Sequence, residues 1–173
     1  MKKTAIVYWL LPAKPERDLL CDLVRILRKE LKAPNFEPHL TLFVSTEDRR
    51  SPKKALQEVR SRPIRLNVRG AAFSAKFTKA LFVRFKSSPA LRKLATDVAR
   101  AAASAAKAPR DPHVSLVYKK IPSRVKKELA AVIKLPFRTV RFDSVAAVRL
   151  TLPVRTARDV ERWKIIAKRS LRR

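Results

Sequence analysis

The stretch EPHLTLF, residues 37–43, holds one of the chain's two histidines, and DPHVSLVY, residues 111–118, holds the other. Both read acid, proline, histidine, apolar, hydroxyl, leucine. An extended chain puts residues i and i+2 on one face, so His39 shares a face with Thr41 and His113 with Ser115, while Leu40, Leu42, Val114 and Leu116 turn towards a core. Two such strands side by side would present two imidazoles and two hydroxyls to one cleft. Pro38 and Pro112 lack a backbone donor and suit the start or edge of a strand. The histidines lie 74 positions apart (113 minus 39), close to half of the 173 residues. A duplication kept for packing alone would have little reason to keep the polar pair.

Imidazole, with an ordinary pKa of about 6.5, can serve as base or acid near neutrality. A pair can divide a proton-transfer reaction, one ring taking a proton from water and the other giving one to a departing oxygen. Hydroxyls at i+2 can donate to oxygens on which charge builds, and nearby Arg or Lys would add to that. The arrangement suits phosphodiester chemistry without a metal. One Cys and two His, with scattered carboxylates, offer no recognised ligand spacing, so neither metal nor cofactor is expected. A single His-x-Thr is an ordinary strand feature; the repeat carries the inference.

Outward from the repeat, strands and helices alternate. TAIVYWLL (4–11) reads as a buried strand ended by Pro12. Leu19, Leu23, Leu27 and Leu31 recur at four-residue spacing with acids early and bases late, as a helix over 16–32 prefers. Ser51 and Pro52 open a short helix to about 60. IRLNVRG (64–70) and ALFVRFK (80–86) alternate as a half-buried strand pair around Gly70, the only glycine. Ser88 and Pro89 start a long helix to about 102, and 123–134 forms another. FRTVRFDSVAAVRLTL (137–152) is one long strand or two shorter ones. At the end, Thr156 with Asp159 signals a helix start, whereas Trp163, Ile165 and Ala167 alternate as a strand would. No Gly/Ser hinge divides the chain, which reads as a single domain over 1–173 made of two intimately packed lobes.

Charge dominates the composition: 42 Lys and Arg against 14 Asp and Glu, a formal +28, spread along the chain. Such a field draws in polyanions, and RNA is the expected partner class. No apolar run approaches the roughly 20 residues of a membrane span. The segment MKKTAIVYWLLP imitates a signal peptide, but no A-x-A site follows and it runs straight into a charged amphipathic stretch, so it reads as a buried first strand. Cys21, the lone cysteine, cannot form an internal disulfide and lies among Leu19, Leu20, Leu23 and Val24. A cytoplasmic, monomeric protein without membrane attachment is the expectation.

With both motifs in view, the chain resembles the 2H phosphoesterase superfamily, defined by two H-x-[T/S]-x motifs, here His39-Leu40-Thr41-Leu42 and His113-Val114-Ser115-Leu116. It is most similar to the cyclic phosphodiesterase branch, related to the RNA 2′,3′-cyclic phosphodiesterase and 2′,5′ RNA ligase-like (LigT-like) proteins. YWLLP, FEPHLTLF, PHVSLVY and FDSVAAVRLT followed by Trp163 carry the resemblance over essentially the whole chain. It implies an α+β fold, bilobal with pseudo-two-fold symmetry, in which duplicated antiparallel sheets line a central cleft and helices lie outside. It also implies a closing strand over 163–171.

The resemblance further implies an enzyme that hydrolyses cyclic phosphates: nucleoside 2′,3′-cyclic phosphates and, in some members, ADP-ribose 1″,2″-cyclic phosphate. Carried over, His113 would be the base on water, His39 the acid for the leaving ribose oxygen, and Thr41 and Ser115 the holders of the phosphoryl oxygens. Tyr118 matches an aromatic position that contacts substrate, and Phe77 is a second candidate for stacking on the base. Nothing in the resemblance requires +28, so an RNA end joins the cyclic mononucleotide as a substrate. A basic RNA-binding module with little turnover, and 2′,5′ ligase-like activity, remain as alternatives.

Overall fold

The structure is a computed structural model in which residues 1–46 and 50–172 are described. It is an α+β fold. In chain order the elements are β1 (Lys3–Pro12), α1 (Glu16–Leu31), β2 (Leu40–Ser45), α2 (Pro52–Glu58), β3 (Ile64–Phe73), β4 (Leu81–Phe85), α3 (Pro89–Ala101), β5 (His113–Val117), α4 (Ser123–Val132), β6 (Thr139–Leu152), α5 (Ala157–Glu161) and β7 (Lys164–Ser170). A single 3-10 turn, Phe77–Lys79, precedes β4.

Every strand pairing among the described residues is antiparallel, in the order β1-β2-β5-β4-β3-β6-β7, and β1 also pairs with β6. The first six strands therefore close a circuit. Its narrowest seam is the junction of the two motif strands, where β2 meets β5 through Leu40↔Val114. Both residues are fully buried, so the seam is held by apolar packing rather than by a long hydrogen-bond ladder. Helices cross over it: α1, which leads into β2, packs on β5, and α3, which leads into β5, packs on β2.

Alternation along the strands separates two faces. Ile6, Tyr8 and Leu10 of β1, Leu40 and Leu42 of β2, Val114 and Leu116 of β5, and Val140 and Phe142 of β6 enter the main core, with Leu20, Val24 and Leu27 of α1 and Leu91, Leu94 and Val98 of α3 packed there too. The other face of β1 and β6 carries Ala5, Val7, Trp9, Leu11, Ala146 and Val148, a second cluster against which Trp163 packs.

The expected segments appear with small shifts. Residues 139–152 form one long strand. Both readings of the C-terminal segment hold in succession: Thr156 and Asp159 make a reciprocal capping box for α5, and alternation then carries the chain into β7. Ser88 caps α3 by accepting from the Leu91 amide at 3.1 Å, whereas Ser51 makes no side-chain cap bond and Pro52 alone presets the start of α2. Among the described residues no helix is long and apolar enough to cross a membrane.

Candidate active site

Each histidine stands at the mouth of its strand and is oriented in the same way. His39 Nδ1 lies 2.6 Å from the carbonyl oxygen of Glu37, and His113 Nδ1 lies 2.9 Å from that of Asp111. A carbonyl can only accept, so in the neutral rings Nδ1 carries the proton and donates it, leaving each Nε2 as an acceptor. Both contacts reach back two residues, to the acid of the shared acid-Pro-His spelling, and the acid's side chain anchors the turn. Glu37 accepts from Arg17 at 2.7 Å, and Asp111 pairs with Lys79 and, at 3.2 Å, with Arg84.

The surroundings of the two rings differ. His39 is 4% exposed and lies face to face with Trp9, centroids 3.6 Å apart and planes 10° from parallel. Phe36 and Trp163 meet it edge-on at 6.4 and 5.7 Å. Burial pushes its pKa from 6.5 down to about 3, with the Glu37 carbonyl opposing and the charge of His113 adding to the fall. His113 is half-buried, with Phe82 edge-on at 5.3 Å. Burial again lowers its pKa, with Lys79 and Arg84 adding to the fall and Asp111 and its carbonyl opposing. Both imidazoles are therefore neutral at pH 7 in the free protein.

Around the rings lie the other residues expected at the site. Tyr118, buried, holds its hydroxyl 3.4 Å from His39 Nε2, and its ring meets Phe36 and Trp163 edge-on and Phe77 at 6.4 Å. Desolvation raises the Tyr118 pKa, so the phenol is a neutral donor. Ser115 is 3% exposed and donates to the carbonyl of Thr78 at 2.9 Å; its hydroxyl must rotate to donate to anything else. Thr41 is half-buried, one residue into β2 beyond Leu40. The register Leu40↔Val114, carried one step each way, sets His39 opposite Ser115 and Thr41 opposite His113.

Sequence reasoning left several participants unassigned. Trp9 and Trp163 were legible only as apolar strand residues, because which face of β1 meets a histidine is set by pairing with β2 and β6. Lys79 and Arg84 are the cations beside His113: Arg84 is its partner across β4 and β5, and Lys79 Nζ sits 4.5 Å over the Phe82 ring. Their paired signal, a base on either side of the apolar run ALFV, looks like a solvated strand end in any sequence. Lys126 on α4 is buried, and its ammonium donates to the carbonyl of Ser74 at 2.6 Å. Ser74 opens the turn that carries Phe77, Thr78 and Lys79, so this lysine fixes the segment that touches Tyr118, Ser115 and Asp111.

Chemically, the arrangement joins two neutral imidazoles with Nε2 acceptors, that of His39 facing the Tyr118 hydroxyl, three hydroxyls, and two cations against one carboxylate. Such a cluster suits an anionic group whose bond-breaking needs a proton taken and a proton given. Among the described residues no three His, Cys, Asp or Glu side chains gather as a metal site would require.

Comparison with known proteins bears on the family and the fold. A family model described as cyclic phosphodiesterase-like protein matches residues 4–171. Among solved structures, Escherichia coli LigT complexed with 3′-AMP is similar at 14% identity and a TM-score of 0.57, covering 98% of this chain and 99% of that one. A Thermus thermophilus protein matches at 18% identity and a TM-score of 0.57, over 97% and 98% of the two chains. A structure described as a phosphoesterase matches at 15% identity and a TM-score of 0.59, over 98% and 99%. At these identities the likeness speaks for the fold. No curated protein sequence matches.

Proposed function

The chain belongs to the cyclic phosphodiesterase-like family of 2H phosphoesterases, and from that premise we propose that it hydrolyses 2′,3′-cyclic phosphates without a metal, using His39 and His113 as a proton-transfer pair. The observation that carries this reading is the matched orientation of the two rings, each Nδ1 within hydrogen-bond distance of a carbonyl two residues back. One such ring is a packing detail; two on adjoining strands form an acid/base pair. LigT has been solved with 3′-AMP, ATP and NADP+, which supports a nucleotide-type substrate here too.

In the proposed reaction water attacks phosphorus, the bond from phosphorus to one ribose oxygen breaks, and a phosphomonoester forms. His113 takes the proton from water through Nε2, and His39 gives one to the departing oxygen. Thr41 and Ser115 hold the phosphoryl oxygens, for which Ser115 turns away from Thr78, and Lys79 and Arg84 supply positive charge. Tyr118 and Phe77 flank the base. Because His39 is neutral when free, it takes up its proton only when the phosphodiester anion arrives, since an adjacent negative charge favours the imidazolium. The whole chain acts as one unit, a monomer of two lobes.

The test is product analysis of 2′,3′-cyclic nucleotides incubated with the protein in excess EDTA. A single phosphomonoester isomer is expected at the rate seen without chelator. Loss of turnover on chelation contradicts the mechanism. Tight RNA binding with no product would instead favour a binding module, and joined RNA ends a ligase-like reaction.

A further inference from the structure

We propose that the face bearing His113 extends into a track for single-stranded RNA, running from β5 over β4 and β3 to the start of β6, so that the substrate is an RNA strand whose terminal cyclic phosphate lies between the histidines. This rests on the phosphodiesterase reading above and adds where the rest of the strand lies.

The registers define the track. His113 sits opposite Arg84, Arg84 opposite Gly70, Asn67 opposite Thr139, and Arg65 opposite Arg141. Leu66, Val68, Val140 and Phe142 turn into the main core, so Asn67, Arg65 and Arg141 share the face of Arg84 and His113. The register shift between Val68 and Gly70 absorbs Arg69 as an extra residue and keeps that alternation intact. Gly70, at φ +108°, has no heavy atom within 4 Å of where a Cβ would stand. With Ala72 opposite Phe82, it leaves a low floor next to Arg84.

Beyond that floor a 660 Å³ pocket is lined by Arg62, Pro63, Ile64, Arg65 and Arg141, three guanidiniums and no acid. Arg65 has Glu16 at 3.9 Å, but its side chain is 62% exposed, too loose a pair to neutralise it. From β5 to β6 is three strand spacings, about 14 Å, and Arg65 precedes Gly70 by five residues, roughly another 15 Å along β3, so the arginines would meet an extended chain a few nucleotides upstream of the terminal one.

The two ends of the site face differ in kind. Phe77 and Tyr118 lie at the end where Leu81 meets Val117, and Arg84 and His113 lie at the other. The terminal base would occupy the aromatic end, and the upstream phosphates would leave over the cationic one. Spaced guanidiniums on an open sheet suit a phosphate backbone. Only RNA has the 2′-hydroxyl that a 2′,3′-cyclic phosphate needs, which rules out DNA as the strand.

The test compares the protein with its R65Q/R141Q variant on three probes. Two are substrates, 2′,3′-cyclic AMP and an RNA oligomer ending in a 2′,3′-cyclic phosphate; the third is the same oligomer ending in a 3′-phosphate, used for equilibrium binding. The expected result is kcat/KM at least about tenfold higher for the oligomer than for the mononucleotide at low salt, with that advantage lost in the variant and mononucleotide turnover unchanged. Losing two phosphate contacts should reduce the log–log salt slope of oligomer binding by about 1.4. Equal kcat/KM on both substrates, or a variant with the same salt slope, overturns the track. A reduced slope with no turnover of either substrate keeps the track and removes the hydrolase reading beneath it.

Discussion

The indole of Trp9 covers the imidazole of His39 at 3.6 Å between ring centroids, nearly parallel. The contact seals one face of the ring from water, and burial is the largest cause of the fall in its pKa to about 3. Replacing Trp9 by Leu should admit water and raise the His39 pKa towards 6.5, read by NMR titration of the ring. The indole face would also favour a charged imidazole, an effect of the opposite sign that desolvation outweighs here. A His39 that still titrates near 3 in the variant would show that the rest of the pocket, not Trp9, sets its state.

The same burial makes stability depend on pH. His39 has a folded pKa far below its unfolded value, so between about pH 3 and 6.5 the unfolded chain binds more protons. Stability is therefore full above 6.5 and lost progressively as pH falls towards 3, by on the order of 5 kcal/mol at the limit. Urea unfolding at pH 7 and pH 4.5 should show this loss in the parent protein and a smaller one in His39→Phe. Equal losses in both would place the acid sensitivity elsewhere.

Both free histidines have pKa values below 6.5, which shapes the kinetics. The productive form needs one ring protonated and one neutral, and above the higher of the two values that form becomes scarce. kcat/KM should peak below pH 6.5 and fall about tenfold per unit above its upper limb, whereas kcat, which reports the bound complex, should stay high to greater pH. Coinciding profiles would mean that the phosphate does not raise the acid's pKa.

Acid and base are separable by leaving group. A phosphodiester with a nitrophenolate leaving group needs no protonation of the departing oxygen, so it should restore turnover to His39→Ala and not to His113→Ala. Rescue of His113→Ala alone would exchange the two roles.

Lys126 acts through the turn it holds. Lys126→Met keeps the aliphatic stem and removes the donor to the Ser74 carbonyl, at a cost of about 1–3 kcal/mol. Through Thr78 and Lys79 it should also lower kcat by about tenfold with KM nearly unchanged, and Lys126→Arg should recover part of the loss. A variant that is destabilised but fully active would confine this lysine to packing.

Much of this was legible in the residues, for identifiable reasons. His39, Thr41, His113 and Ser115 announce themselves because alternation is local, and the duplication of the phrase argues against chance as its source. Helix periodicity and the Thr156–Asp159 cap depend on neighbours a few positions away, so α1, α3 and α5 were readable as well. What could not be read depends on which strands meet. Trp9 reaches His39 only because β1 pairs with β2, Arg84 reaches His113 only through the register of β4 on β5, and the Glu37 and Asp111 carbonyls act through backbone geometry that no side-chain pattern encodes. Lys126 was hidden for another reason: on a basic chain a buried lysine is spelled like any exposed one.

The central claim is that His39 and His113 form one catalytic unit, and single-turnover hydrolysis of 2′,3′-cyclic AMP by His39→Ala, His113→Ala and the double variant, all verified as folded, tests it most directly. Each single variant should lose about 10²–10⁴-fold, and the double should lose little more than the worse single, since groups that act together are not additive. Single variants with near-parental rates, or losses that multiply in the double, would contradict the account.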